Sequence, residues 1–232
     1  MPEDEFPPVE NALREPDGLL AAGGDLATAR LLAAYRRGIF PWYEEGQPLL
    51  WWSPDPRCVL QAGQFHVSRS LRRYLRQSPL EVTFNTSFGD VIRACAGPRR
   101  SQQGTWITPD IVRAFETLHG DGWAHSIEVR QDNRLAGGLY GLAIGRVFFA
   151  ESMFSRVANA SKIAMLVLAK LLDEKALGLV DCQVNSAHLQ SLGATLIARQ
   201  DFVASLDALC EPASRFENWP SAPMSCAELS QK

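Results

Sequence analysis

Three polar side chains stand where the surrounding residues are apolar: Glu151, Asp181 and Gln183. An unbroken apolar run from Arg146 to Ala150 reads as a buried strand, and it ends at the Glu151 carboxylate beside the soft side chains of Met153 and Phe154. The segment Leu179-Val180-Asp181-Cys182-Gln183-Val184 reads as a second short strand, with Asp181 and Gln183 two positions apart and so on one face. A polar edge strand or a turn accounts for Asp181 and Gln183 equally well on spacing alone. Together with Phe148 and Met153, however, the three groups offer a proton acceptor, an amide and an apolar pocket in one place, which acyl chemistry on an apolar group requires.

The intervening chain must position these groups. Asn159 or Ser161 is expected to cap a helix whose residues Ile163 to Leu172 are apolar almost all round, so the helix should be buried. Strand, loop, buried helix and strand make an α/β unit with a cleft. Upstream, residues 1–15 read as an irregular lead-in. Asp25 can cap a helix that runs to Arg37 and stops at Gly38. Two aromatic loops follow, Phe40-Pro41-Trp42-Tyr43 and Trp51-Trp52-Ser53-Pro54, and Trp51 and Trp52 are expected in the core of a small unit. Ser68 opens a helix, a short helical stretch lies between Gly89 and Gly104, and Pro109 starts another helix that runs to His119. A hairpin turns at Gln131-Asp132-Asn133-Arg134. A strand at residues 195–198 and a last helix near residues 202–209 follow, and residues 224–232 read as frayed.

Composition narrows the class. The 232 residues are 46% hydrophobic, enough for one substantial core or one domain with a small attachment. No apolar span of 18 residues and no signal peptide is apparent, which predicts a soluble cytoplasmic protein without membrane contact. Five scattered cysteines without C-x-x-C spacing predict reduced thiols, and the four histidines have no metal-ligand spacing, so no metal is expected. The net charge of −3 hides an asymmetry: between Pro56 and Pro109 eight arginines face two acids, leaving that segment at +6 and the remainder at −9. Arg69, Arg72, Arg73 and Arg76 fall on one face of the helix opened by Ser68, with no acid from Arg57 to Leu80. An uncompensated stripe of this kind suits phosphate contact better than an ordinary solvated face.

Several longer motifs carry a resemblance. Phe149-Ala150-Glu151-Ser152-Met153-Phe154-Ser155, Asp181-Cys182-Gln183-Val184, Gly38-Ile39-Phe40-Pro41-Trp42, Trp51-Trp52-Ser53-Pro54-Asp55-Pro56-Arg57, Gly104-Thr105-Trp106-Ile107-Thr108 and His125-Ser126-Ile127-Glu128-Val129 resemble the signatures of leucyl/phenylalanyl-tRNA–protein transferases, in family order from about Phe6 to Phe202. The resemblance implies an α+β protein with an α/β-type core, in which a GNAT-like acyltransferase domain (63–232) follows a small N-terminal α/β domain (1–62). It implies transfer of Leu or Phe, and Met more weakly, from aminoacyl-tRNA to the amine of proteins beginning with Arg or Lys, marking them for degradation.

It also assigns roles. Trp42 would line the site of the terminal adenosine, with Trp106 also at the substrate site. Leu139, Phe148, Met153, Met165 and Leu168 would form the apolar pocket, although the family often has Met at the position of Leu139. Glu151 is the candidate counter-charge for the basic acceptor, and Asp181, with Gln183, the candidate proton acceptor, serving chemistry and not folding. No cofactor is expected: Arg156-Val157-Ala158-Asn159-Ala160-Ser161 places Asn and Ser where a CoA-binding loop has glycines. A CoA-dependent N-acyltransferase and a non-catalytic RNA-binding module are the competing classes.

Replacing Arg69, Arg72, Arg73 and Arg76 by Ala is expected to weaken tRNA binding and flatten its salt dependence by roughly 0.7–0.9 in log–log slope per lost contact. Filter binding across a salt series measures this, and an unchanged slope would remove the stripe from the tRNA interface.

Overall fold

The apolar alternation builds more strand than the sequence reading assigned, because the hairpin arms are longer. The strands are β1 (Leu19–Ala22), β2 (Phe40–Pro41), β3 (Leu50–Trp52), β4 (Arg57–Leu60), β5 (Glu81–Phe84), β6 (Ala124–Gln131), β7 (Arg134–Ile144), β8 (Val147–Ser155), β9 (Leu179–Gln183), β10 (Thr195–Ile197) and β11 (Met224–Ser225). The helices are α1 (Thr28–Arg36), α2 (Arg69–Gln77), α3 (Phe88–Ala96), α4 (Pro109–Gly120), α5 (Ala160–Asp173), α6 (Ala187–Ser191), α7 (Arg199–Leu209) and α8 (Cys226–Leu229). The computed structural model describes residues 6–97, 105–211 and 213–230.

Eight strands form one sheet in the order β10-β4-β9-β8-β7-β6-β5-β11, and β1-β3-β2 form a second, small one. All pairs of the large sheet are antiparallel except β8 with β9, which α5 joins as a crossover. That parallel pairing covers only Val147↔Leu179, Phe148↔Val180 and Phe149↔Asp181. Beyond it the two strands run on without pairing, so the sheet is split at this point. The fold is therefore mixed α and β around an α/β crossover.

The sheet has an apolar layer on each face. One layer holds α5 and the inner faces of α2 and α8, with Ile163, Met165 and Leu168 meeting Leu139, Phe148 and Val180. The other holds α1, α3, α4, α7 and the N-terminal segment, with Tyr35, Trp51, Phe115 and Phe202 meeting Val59, Tyr140 and Phe149. β4 lies inside the expected 1–62 unit yet pairs with β9 and β10 in the large sheet. Trp51 is fully buried as expected for a core residue, whereas Trp52 is half-buried.

Ser68 caps α2 as expected, accepting from the Leu71 N–H, and α4 starts at Pro109 as expected, capped by Thr108, which accepts from the Ile111 N–H. The hairpin turns at Asp132 and Asn133, both with positive φ. Asp25 does not cap α1 from the N-cap position; it lies two residues before that position, Ala27, and accepts from the Ala27 N–H. Neither Asn159 nor Ser161 caps α5 through its side chain: Asn159 turns the chain at φ 66°, and the Ser155 hydroxyl accepts from the Ser161 N–H. Residues 224–230 are not frayed, because Ser225 and Glu228 form a capping box and Cys226 and Leu229 are buried. The loop 98–103 lies outside the described residues.

Gly193 closes the turn between α6 and β10 at φ 101°, where an added Cβ would come within 1.9 Å of the Gln64 carbonyl oxygen. Gly193→Ala is expected to cost roughly 1–3 kcal/mol through strain and displacement of α6. Urea denaturation measures this, and an unchanged midpoint would show that the turn relaxes freely.

Candidate active site

The split between β8 and β9 opens a cavity of about 390 Å³. Two irregularities on its flanking strands decide what faces it. On β8, Tyr140 pairs with Ser152 and Gly141 with Ala150, which leaves Glu151 as the extra residue of a β-bulge. The bulge reverses the alternation: Phe149 and Glu151 point to the α1 side, while Met153 packs on the α5 side. On β9, Cys58 pairs with Gln183 and Val59 with Asp181, so Cys182 is the extra residue, and Gln183 adopts φ 60°. The cavity accordingly has a polar wall of Glu151 and Gln183 and an apolar wall of Leu139, Met153 and Met165.

Glu151 is held by two donors on one oxygen. Tyr35 Oη donates to Oε1 at 2.7 Å and Gln183 Nε2 donates to the same atom at 2.6 Å. Oε2 is buried with no hydrogen-bond partner among the described residues. Burial pushes the Glu151 carboxyl up to about 8, against the opposing effect of the Tyr35 and Gln183 hydrogen bonds. Tyr35 is raised well above the usual phenol range, first by burial and then by the Glu151 charge, so it remains a donor.

Asp181 sits behind this wall. Its carboxylate takes Arg57 Nε at 2.8 Å and Arg57 Nη2 at 2.7 Å, and both side chains are fully buried. Oδ1 also accepts from the Gln183 backbone N–H at 2.8 Å. Arg57 Nη1 donates to the Gly38 carbonyl at 3.1 Å, and its guanidinium lies over the rings of Phe40 and Phe202. Asp181 does not line the cavity.

The other expected site residues divide. Trp42, 42% exposed, and Trp106 line the cavity mouth, and Trp42 lies 5.5 Å from Trp52, whose Nε1 donates to the Trp42 carbonyl. Phe148 and Leu168 are fully buried and do not line the cavity; Phe148 presents its ring to Trp219 at 5.9 Å. This corrects the expected pocket, because the Phe148 ring and the Leu168 side chain are already packed into the core behind Met153 and Met165. Arg69, Arg72, Arg73 and Arg76 are all exposed, away from the cavity, and form no salt bridge among the described residues. Arg57, counted above with the basic face, is buried and adds nothing to it.

Sequence reasoning missed Tyr35, Arg57 and His188. An arginine inside the short strand Arg57-Cys58-Val59-Leu60 was the available signal for a buried ion pair. Tyr35 looked like one more apolar position of α1. His188 was assigned a structural or surface role, yet it lines the cavity and is lowered by burial.

Residues 59–207 match the family described as leucyl/phenylalanyl-tRNA protein transferase, and residues 24–55 match its N-terminal domain. The chain belongs to this family. It is 58% identical over 202 residues to the leucyl/phenylalanyl-tRNA–protein transferase of Azoarcus sp., covering 87% of this chain and 86% of that protein. The one from Pseudomonas aeruginosa is 58% identical over 198 residues, covering 85% and 88%. The one from Chromohalobacter salexigens is 56% identical over 218 residues, covering 94% and 85%. Among solved structures, a ribosomal-protein-alanine N-acetyltransferase from Brucella melitensis biovar Abortus aligns with a TM-score of 0.35 at 14% identity, covering 62% of this chain and 96% of that one. A GCN5-related N-acetyltransferase from Kribbella flavida aligns with a TM-score of 0.36 at 12% identity, covering 72% and 60%. The transferase-family match of 59–207 spans Arg57's neighbours on β4 and all of Glu151, Asp181 and Gln183, while the N-terminal match holds Tyr35 and Trp42.

The geometry also corrects the expectation that Asp181 is free of a folding role. Asp181→Asn leaves Arg57 buried without its counter-charge and is expected to destabilise by roughly 3–5 kcal/mol. Replacing both, as Arg57→Met with Asp181→Leu, should recover most of that stability. Denaturant titration compares the three proteins; a single variant as stable as the parent would show that the pair does not hold the fold.

Proposed function

We propose that this chain transfers Leu or Phe, and Met more weakly, from aminoacyl-tRNA to the α-amine of proteins beginning with Arg or Lys. The observation that carries this reading is the split cavity, with an apolar wall beside a buried carboxyl poised near neutrality. Leu139, Met153 and Met165 suit an apolar donor side chain, and the volume lies within the roughly 300–1,000 Å³ of small-molecule sites. The tryptophans Trp42 and Trp106 at the mouth offer faces on which an adenine can stack, worth roughly 1–3 kcal/mol per base. Family membership supports the same donor and the same class of acceptor.

The chemistry needs little beyond positioning and two proton transfers. The acceptor amine attacks the ester carbonyl of the donor, the ester C–O bond breaks, and the proton that the nitrogen sheds on becoming an amide passes to the ribose oxygen, which leaves as a hydroxyl. The amine must first lose a proton. An α-ammonium has a pKa of about 7.7–8.0, so a carboxyl at about 8 is matched to receive that proton. Glu151 fits this role through Oε2, since Oε1 is already engaged by Tyr35 and Gln183. The entering cation favours the ionised form of Glu151 and is itself held by it. Asp181 acts as a positioning residue: through its bonds to Arg57 and to the Gln183 backbone it fixes the amide that orients Glu151.

Incubation with Leu-tRNA and a peptide beginning with Arg is expected to add one leucine by mass, and absence of any addition would reject the proposal. Glu151→Gln should lower the single-turnover rate roughly 10²–10⁴-fold; transfer at the parent rate from pH 6 to 9 would exclude Glu151 as proton acceptor. The same variant has a stability signature. Because the folded protein holds the Glu151 proton up to about pH 8, it binds more protons than the unfolded chain above about 4.5, so this group lowers stability as pH rises through that window. Glu151→Gln removes that loss and should gain relative to the parent by roughly 2–3 kcal/mol between pH 5 and pH 7.

A further inference from the structure

A second cavity, of about 930 Å³, adjoins the first and shares Met153 and His188 with it. It lies between the end of α3, the end of β8 and the loop that leads into α5. Its charged lining is Arg93 and Arg156, with the hydroxyls of Ser155 and Ser161, and none of its described lining residues is acidic. Arg156 is exposed and is oriented by two contacts: Nη1 donates to the Leu135 carbonyl at 3.3 Å, and the guanidinium lies 5.4 Å from the centre of the Phe154 ring. It forms no salt bridge among the described residues. Arg93 is partly neutralised by Glu116, and Asp90 lines a smaller neighbouring depression that both arginines share. A guanidinium oriented toward solvent beside the acyl cavity, with no salt-bridge partner among the described residues, is suited to a phosphate oxygen.

We propose that this second cavity receives the phosphodiester immediately upstream of the donor's terminal adenosine, an inference that rests on the function proposed above. The acceptor chain is the weaker candidate for this cavity. It arrives with an α-ammonium and a basic side chain, both of which Arg156 and Arg93 repel, whereas every tRNA donor carries a phosphate one nucleotide from its ester. The site is distinct from the arginine stripe of α2. That helix packs through Leu71 and Leu75 into the layer holding α5, while Val91, Ile92 and Cys95 of α3 pack into the opposite layer. The donor would thus be held at two separate places, by single-strand contact beside the cavity and by the stripe farther out.

The test compares three donors of the same leucine on the full chain: leucyl-adenosine, the leucyl ester of cytidylyl-adenosine, which adds one internucleotide phosphate, and Leu-tRNA. The ratio of kcat/KM for the dinucleotide to that for the nucleoside should fall about tenfold in Arg156→Ala, carried by KM, because hydrogen bonds to charged groups are worth about that factor or more. Arg156→Lys should retain part of it and Arg93→Ala should lose less. Dinucleotide binding should become less sensitive to salt in Arg156→Ala, because one screened charge pair is lost. An unchanged ratio, or equal loss with all donors, would overturn the subsite. So would an unchanged ratio with a raised KM for acceptor peptides bearing acidic second residues, which would give the cavity to the acceptor. If the parent transfers from none of the three donors, the proposed function fails and the subsite with it; if the parent transfers and the ratio is unmoved, the subsite alone fails.

Discussion

The buried pair of Arg57 and Asp181 is the interaction on which the rest of the arrangement depends. Its guanidinium joins β4 to β9, reaches the carbonyl that ends α1, and is sandwiched by one ring from β2 and another from α7. Four separate parts of the chain therefore meet on one cation. Burying two charges is costly, and replacing such pairs by apolar residues is often neutral for stability. Its value here is geometric, since the same carboxylate also holds the backbone of Gln183 in the left-handed conformation that turns its amide toward Glu151. The hydrogen-bond chain from Arg57 to Asp181, Gln183, Glu151 and Tyr35 runs from the core to the cavity wall without a break.

Electrostatics on this chain is layered by burial. The interior carries a fully compensated ion pair beside a carboxyl that burial pushes toward neutrality, so the cavity gains polarity without a standing net charge. The outer faces carry the uncompensated arginines of α2 and of the β8–α5 loop. Salt can therefore screen the surface arginines, whereas the buried carboxyl of Glu151 is screened only weakly.

Much of the architecture was legible because apolar periodicity fixes it. Helix α5 is apolar almost all round and is buried between the sheet and α2 and α8; the Ser68 cap, the Pro109 helix start and the hairpin turn followed from local chemistry alone. What was hidden depended on contacts between distant residues. Nothing near Asp181 in the sequence marks Arg57, which is 124 positions away, as its partner, nor Tyr35, 116 positions from Glu151. The pocket was read too deep because residue type identifies Phe148 and Leu168 as apolar but not which apolar side chains reach a cavity. The place of β4 was hidden for a similar reason: it follows the aromatic loops in sequence but is claimed by the large sheet through its pairing with β9. Residue spacing also gave no sign of the two bulges, since an extra residue in a strand leaves its apolar pattern only locally disturbed.

The bulge at Glu151 has a further consequence for which kinds of genetic change this protein can absorb. Opposite it, Gly141 has no room for a side chain, because a Cβ there would lie 2.1 Å from the Phe149 carbonyl oxygen and crowd the Phe148 ring. The irregular pairing of β7 and β8 is therefore locked from both strands. Substitutions in this stretch alter one side chain at a time, but the loss of a single codon between Ala150 and Ser152 would let the ladder zip into regular register. Every later side chain of β8 would then keep its partner on β7 and its face, because Tyr140↔Ser152 and Leu139↔Met153 already lie in register beyond the lost residue. Such a deletion mutant could keep its sheet and its core while carrying no carboxyl toward Tyr35, so insertions and deletions here threaten chemistry before they threaten folding.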